Sequence, residues 1–184
     1  MTRKIQAGEF MTLNGVCHEP GEWVFPYFTP EVGKVIGDNI AESDCMLLGR
    51  RTYEAWAEYW PGKTAEDDPF AGHINTVQKY VVSTTLEPPL TWESTELFRG
   101  LDEVRKLKEQ DGKNIAISGS ITLVGSLLSE GLLDELALLV APIVLGQGIR
   151  LFDRPAESVG LRLASHETFD NGVQSLVYVP AGKE

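Results

Sequence analysis

The chain has 184 residues, of which 42% are hydrophobic and 23% are charged. This length and composition predict a single globular domain, residues 1–184, with a sizeable buried core, and they exclude a disordered chain. The formal net charge of −11 makes nucleic acid and anionic membranes unfavourable partners, because the molecule as a whole repels polyanions.

The cysteines and histidines give no sign of a metal site. Cys17 and Cys45 have neither metal-binding nor redox spacing, so we expect free thiols in a reducing compartment, with a disulfide as the alternative. His18, His73 and His166 lie on separate segments. No apolar run reaches the roughly 18 residues of a membrane span, and the first residues lack the apolar core of a signal peptide. We therefore expect a cytoplasmic protein.

The first half of the chain alternates between strand and helix patterns. Ile5–Phe10 predicts a strand, and a glycine-containing loop, residues 14–26, follows it. Thr29 and Pro30 then give the signals of a helix start. Apolar side chains recur along this helix at the spacing of one buried stripe, namely Val32, Val35, Ile36 and Ile40.

The remaining segments complete the predicted fold class. Further strands are predicted at Cys45–Leu48, Lys79–Ser83 and Ile115–Ile117, further helices at Thr52–Tyr59, Leu101–Gln110 and Ser120–Glu130, and a surface loop at Lys63–Gly72. Glu135–Val140, Arg162–Phe169 and Gln174–Val179 then read as consecutive strands, with Asn171-Gly172 as a hairpin signal. The order predicts an α/β fold: a mostly parallel central sheet, helices on both faces, and antiparallel C-terminal strands.

Two strand-to-helix junctions have the chemistry of an anion site. The first is Gly49-Arg50-Arg51-Thr52, and the second is Ser118-Gly119-Ser120, followed by Ile121 and Thr122. Free N–H groups in the first turn of a helix can hold a phosphate, and glycine lets the ligand approach the backbone. Both junctions follow parallel strands, whose carboxyl ends are the usual ligand site in such sheets. Two phosphate sites predict a dinucleotide.

Five segments in order resemble the dihydrofolate reductase superfamily, and within it the reductase domain of the bifunctional riboflavin-biosynthesis deaminase–reductase. They are MTLNGV, LLGRRTYE, KYVVSTTL, IAISGS and the tail from GLLDEL to APIVLGQGIRLF. The resemblance implies a dihydrofolate-reductase-like three-layer fold, NADPH as cofactor and a homodimer. It also implies hydride transfer to a CH–NH or C=N type group of a small heterocycle or a ribosylaminopyrimidine-like substrate.

The resemblance also implies where the cofactor binds. Arg50 and Arg51 would pair with the 2′-phosphate or pyrophosphate, with the Thr52 hydroxyl beside them. The chain has one glycine, Gly119, where the family commonly has two. The expected cofactor residues are Ala7, Gly15, Gly49, Arg50, Arg51, Thr52, Ser83, Thr84, Ser118, Gly119, Ser120, Ile121 and Thr122.

The catalytic acid is not identified by the pattern. Folate reductases have a carboxylate early in their first helix, and Glu31 is the candidate nearest to it, but it shares a helix face with Lys34 and Asp38, away from the apolar stripe. The expected substrate pocket comprises Asn14, Trp23, Phe25, Tyr27 and Phe28, with Glu19 or Glu22 as further carboxylates.

Three functions remain open. They are an NADPH-dependent reductase, a nucleotide-binding protein without efficient turnover, and a dihydrofolate reductase. The chain lacks the zinc motif of a deaminase, so in riboflavin synthesis it would perform the reductive half alone. A long apolar run, Leu136 to Leu145, suggests self-association, with a buried central strand as the alternative.

Overall fold

The computed structural model describes residues 3–152 and 158–182. The strands are β1 (Ile5–Thr12), β2 (Ser43–Gly49), β3 (Gln78–Val82), β4 (Thr95–Phe98), β5 (Asn114–Ser118), β6 (Glu135–Ala141), β7 (Leu161–Thr168) and β8 (Gln174–Pro180). The helices are α1 (Pro30–Ala41), α2 (Arg50–Tyr59), α3 (Ala71–Thr76), α4 (Leu101–Glu109) and α5 (Ile121–Ser129). Short 3-10 turns lie at Pro20–Glu22 and Phe25–Tyr27.

All eight strands form one sheet, in the order β4-β3-β2-β5-β1-β6-β8-β7. The pairs from β4 to β6 are parallel, whereas β8 is antiparallel to both β6 and β7. The hairpin between β7 and β8 turns at Gly172, which has a φ of 84°. The predicted sheet, with its antiparallel C-terminal strands, is confirmed.

Helices cover both faces of the sheet, which gives three layers. Strand β2 shows why: Cys45 and Leu47 pack in the core beneath α4 and α5, while Met46 and Leu48 pack beneath α2 and α3. Alternate side chains of a strand point to opposite faces, so a strand buried on both sides is apolar throughout. Helix α1 lies on the same face as α2, since its Val32 packs against β6 and the β7–β8 hairpin.

Two short elements are absent from the sequence prediction. The segment Lys63–Gly72 was predicted as a loop, but α3 begins at Ala71. Strand β4 has only four residues, of which Phe98 is buried, so it lacks a readable alternation. Other boundaries agree to within one or two residues, which is the usual uncertainty of helix and strand ends.

A buried lysine explains how the short helix α3 is held. The Nζ atom of Lys79 donates to the carbonyl oxygens of Ile74, Asn75 and Val77 at 3.2, 3.2 and 2.8 Å, and it lies 4.5 Å from the centre of the Trp92 ring. Lys79 is fully buried, and burial lowers its pKa to about 8. The amino group therefore caps the carbonyl end of α3 from inside the core.

The apolar run from Leu136 to Leu145 has a simpler explanation than self-association. Strand β6 lies between β1 and β8, and the residues from Leu136 to Ala141 alternate between the two helix-covered faces. Up to Ala141 the run is therefore apolar because β6 is an interior strand, and that part gives no argument for a dimer, whereas Val144, beyond the strand, is 65% exposed.

Both cysteines are free and buried, and burial raises the pKa of each thiol to about 12. Across residues 3–152 and 158–182, none of the helices has the length and hydrophobicity needed to cross a membrane.

Candidate functional site

The two predicted junctions meet at the carboxyl edge of the sheet. Strands β2 and β5 are neighbours, and the chain leaves β2 toward β3 through α2 but leaves β5 toward β6 through α5. The two connections run in opposite directions and cover opposite faces of the sheet. This is the topological switch point at which open α/β sheets form their ligand crevice.

Hydrogen bonds lock the junctions together. The Gly49 N–H donates to Ser120 Oγ at 2.9 Å, and the Ser120 N–H donates to Thr52 Oγ1 at 2.9 Å. Gly119 and Ser120 have φ values of 65° and 58°, so the chain reverses direction between β5 and α5 in two left-handed residues. The Ser120 hydroxyl makes no cap hydrogen bond to its own helix and instead accepts from the other junction.

Both helix N-termini keep N–H groups for a ligand. Neither N-cap residue, Gly49 or Ser120, makes a side-chain cap hydrogen bond to its own helix. The first N–H groups of α2 and α5 have no intrahelical acceptor by geometry, whereas the Leu123 N–H of α5 donates to the Ser120 carbonyl oxygen at 2.7 Å. The crevice therefore presents two positive helix ends side by side, which suits a pyrophosphate.

The expected basic and hydroxyl residues differ in how free their side chains are to bind a ligand. Arg50 donates to both carboxylate oxygens of Glu54 at 3.0 Å, while Arg51 is exposed. Ser83 is buried, and its Oγ accepts the N–H groups of Thr85 and Leu86, so its hydroxyl closes a turn. Thr84 is exposed at the end of β3, one strand beyond the crevice.

Ala7 and Gly15 occupy different settings beside the crevice. Ala7 is completely buried in the core beneath α5, so its small side chain is used for packing. Gly15 has a φ of 87° in the turn after β1. The side chain of Asn14 ties this turn to a second loop, since its Nδ2 donates to Leu145 O at 2.7 Å and its Oδ1 accepts from Leu145 N at 3.2 Å.

A cleft of about 390 Å³ opens at the ends of β1 and β6. Its lining combines apolar walls with one imidazole and two carboxylates: Val16, His18, Glu19, Glu22, Trp23, Leu145, Gln147, Gly148 and Ile149. Gly148 fits only because it lacks a side chain, since an added Cβ would lie 2.5 Å from Val16 Cγ1. By sheet order the cleft lies two strand spacings, roughly 10 Å, from the crevice between β2 and β5.

The predicted substrate residues are only partly in this cleft. Trp23 lines it, and its ring N–H donates to His18 O at 3.1 Å. Phe25 is 73% exposed, and Phe28 packs near the Phe10 ring. Tyr27 packs against α1. The structure thus brings Trp23 together with Glu19 and Glu22, which entered the sequence analysis as secondary candidates.

Glu9 was not predicted as a site residue from the sequence. It lies on β1 in phase with Ile5 and Ala7, one residue beyond the last pair between β1 and β5. Its Oε2 accepts the Gly119 N–H at 3.1 Å, and its Oε1 is buried with no hydrogen-bond partner among the described residues. Burial raises the pKa of Glu9 well above its usual value, against a smaller lowering by the Gly119 N–H. The available signal was an acid at an inward-facing strand position.

Comparison with known families identifies this architecture. Residues 3–175 match the model of the family described as the RibD C-terminal domain. The chain belongs to this family. The uncharacterized protein YyaP of Bacillus subtilis is 30% identical over 185 residues, covering 96% of this chain and 94% of YyaP.

Solved structures show the same fold at low sequence identity. A candidate riboflavin biosynthesis protein from Shewanella sp. PV-4 superposes with a TM-score of 0.76 at 20% identity, covering 99% of this chain and 100% of that one. Dihydrofolate reductase from Enterococcus faecalis, complexed with NADP(H), superposes with a TM-score of 0.67 at 14% identity and the same coverages. This RibD C-terminal domain protein therefore has a dihydrofolate-reductase-like fold.

Glu31 does not have the environment of a buried acid. The side chain is exposed on α1, and its pKa is lowered, chiefly by the Thr29 hydroxyl. Glu31→Gln is therefore expected to change a reductase rate less than about threefold, whereas removing a general acid costs about 10²–10⁴-fold. Steady-state kinetics with saturating cofactor measure this. A loss in the larger range, with cofactor affinity unchanged, would show that Glu31 reaches the substrate.

Proposed function

We propose that the protein is an NADPH-dependent reductase. The observation that carries this proposal is the pair of hydrogen-bonded junctions, where the N-termini of α2 and α5 meet at the topological switch point. Membership of the RibD C-terminal domain family and the likeness to a dihydrofolate reductase complexed with NADP(H) support it.

The residues of the crevice fit a dinucleotide. The pyrophosphate would bind the free N–H groups beside Gly49 and Gly119, and the adenosine 2′-phosphate would lie toward Arg51 and Arg50. The adenosine would extend toward Thr84 at the end of β3. The nicotinamide would then point toward β1 and the cleft, where the cofactor supplies a hydride. The protein binds both reactants, orients them and excludes water.

We place the substrate in the cleft beside Trp23. Its volume of about 390 Å³ is in the range of small-molecule sites, and its aromatic and aliphatic walls suit a planar ring. The substrate class is a small heterocycle or a ribosylaminopyrimidine-like compound with a CH–NH or C=N type group. NADPH consumption with the ribosylaminopyrimidine and with dihydrofolate tests this. Cofactor binding without turnover of either compound would favour the alternative, a nucleotide-binding protein.

The arginine pair gives a direct test of cofactor choice. NADPH is expected to bind more tightly than NADH, and replacing both Arg50 and Arg51 with alanine is expected to remove most of the difference. Because both side chains are exposed and Glu54 competes for Arg50, we expect an effect on the order of 2 kcal/mol. Fluorescence titrations of both cofactors measure it. Equal affinities in the unmodified protein would refute the assignment of the 2′-phosphate site.

We also propose that residues 1–184 act as one domain in a cytoplasmic homodimer. Strand β7 is one of the two edge strands of the sheet and is largely exposed, and Leu163 is 42% exposed there. An open strand edge offers unpaired backbone groups to a second copy. Sedimentation equilibrium at micromolar concentration is expected to give twice the monomer mass, and a monomer would exclude the dimer.

A further inference from the structure

Glu9 is a buried acid that none of the proposed steps uses. It is 5% exposed, and it lies on β1 between the crevice and the cleft. The pairing of β1 with β5 ends at Gly8 and Ser118, and the Glu9 carboxyl group bridges the two strands immediately beyond that point by accepting the Gly119 N–H. The conformation of the Gly119 turn therefore depends on this carboxyl group.

The two protonation states of Glu9 have opposite effects on an anionic ligand. An ionised Glu9 places a negative charge behind a turn that faces a pyrophosphate, and it leaves a charged oxygen buried without a partner. A protonated Glu9 still accepts the Gly119 N–H through its carbonyl oxygen. In that form the turn is held and the repulsion is absent.

The surroundings of Glu9 favour the protonated form. Its neighbours on β6 and β5 are Leu138 and Ser118, and α5 contributes apolar side chains to this face. Among the described residues, the Cys17 thiol is the titratable group that faces Glu9, and burial raises its pKa to about 12, so it remains neutral. No cation among the described residues forms a salt bridge with Glu9.

We propose that Glu9 is a positioning residue, which holds the Gly119 turn in its protonated form and thereby makes nucleotide binding dependent on retention of one proton. The inference rests on the proposed nucleotide site. It adds that the affinity for a pyrophosphate ligand falls as the pH rises and Glu9 ionises, approaching about tenfold per pH unit.

ADP-ribose is a suitable probe because its pyrophosphate does not titrate near neutral pH, unlike the 2′-phosphate of NADPH. Calorimetric dissociation constants are measured from about pH 5.5 to about pH 9. The unmodified protein is expected to bind more weakly as the pH rises. Glu9→Gln keeps an acceptor for the Gly119 N–H but cannot ionise, so its affinity is expected to stay constant and to exceed that of the unmodified protein at the highest pH.

Two matched variants separate Glu9 from other groups. Glu103→Gln alters a carboxylate that also accepts a backbone N–H, from Arg99 at 3.1 Å, but lies on the exposed start of α4. His18→Gln removes the imidazole of the cleft. Both variants are expected to keep the pH dependence of the unmodified protein, and thermal unfolding checks that every variant is folded.

The outcomes are distinct. Loss of the pH dependence in Glu9→Gln alone supports the inference. A flat profile in the unmodified protein, or one that persists in Glu9→Gln, overturns it. Equal weakening of Glu9→Gln at every pH also overturns it, because that is the result of a merely structural role. If neither ADP-ribose nor NADPH binds the unmodified protein, the proposed function fails, and this inference fails with it.

Discussion

Replacing Gly119 with valine is expected to abolish NADPH binding, with a loss on the order of 100-fold or more in affinity. Gly119 has a φ of 65°, which a β-branched residue adopts only with strain, and an added Cβ would lie 3.4 Å from Thr52 Cγ2 and Oγ1. The larger side chain would displace Thr52, which accepts the Ser120 N–H, and would obstruct the approach to the turn. Losing even two charge-assisted bonds to phosphate accounts for a change of this size.

Gly131 provides a control with the same backbone conformation. It follows α5 with a φ of 64°, and an added Cβ would meet nothing within 4 Å. The two substitutions are therefore expected to lower the free energy of unfolding by a similar amount, about 1–3 kcal/mol. Gly131→Val, in contrast to Gly119→Val, is expected to keep its affinity for NADPH. Circular dichroism and calorimetric titration measure the two quantities. A folded Gly119→Val protein that binds NADPH normally would place the phosphate site elsewhere.

Replacing Lys79 with methionine is expected to lower the free energy of unfolding by about 2–3 kcal/mol. Methionine fills a similar volume but cannot donate to the three carbonyl oxygens at the end of α3. Those oxygens would be left in the core with one partner fewer. Denaturant unfolding measures the loss, and Lys34→Met, on the exposed face of α1, is the control, with an expected change below about 0.5 kcal/mol. Equal effects of the two substitutions would refute the capping role.

The difference in unfolding free energy between the unmodified protein and Lys79→Met is expected to depend on pH, because the pKa of Lys79 differs between the folded and unfolded chain. That pKa is about 8 in the folded protein and roughly 10.4 in an unfolded chain. Between these values the unfolded chain binds more protons, so the contribution of Lys79 to stability rises with pH. The stability difference between the unmodified protein and Lys79→Met should therefore widen from about pH 8 to about pH 10. A constant difference would show that the pKa is not lowered.

The parts of the fold that could be predicted are those where burial imposes a pattern. The stripe on α1 is periodic because one face of the helix is buried, and strands β2, β5 and β6 are continuously apolar because both faces of the sheet are covered. The short helix α3 and strand β4 have no such pattern. Helix α3 depends on Lys79, which a sequence reading takes for a surface residue because buried lysines are rare.

The location of the candidate site could be predicted from the sequence, but its hydrogen bonds and its buried carboxyl group could not. Gly49 and Gly119 could be placed at the carboxyl edge because each lies at the junction between a strand and the helix that follows it. The hydrogen bonds between the two junctions, through Thr52 and Ser120, depend on which strands are neighbours in the sheet. A single sequence does not determine that strand order. Glu9 was missed for the same reason, since its partner is 110 residues away. Whether the expected cofactor residues contact NADPH remains a prediction.

An NMR titration of isotope-labelled protein with NADPH locates the bound dinucleotide on the protein as well as detecting it. We expect the backbone amide signals of Gly49, Arg51, Gly119 and Ile121 to shift with a common, saturable dependence on NADPH concentration. The signals of Gly131 and Gly172, in positive-φ turns outside the crevice, are expected to stay in place. Saturable shifts that cluster away from the ends of β2 and β5, or no shifts in a folded protein, would show that NADPH does not bind at these two junctions.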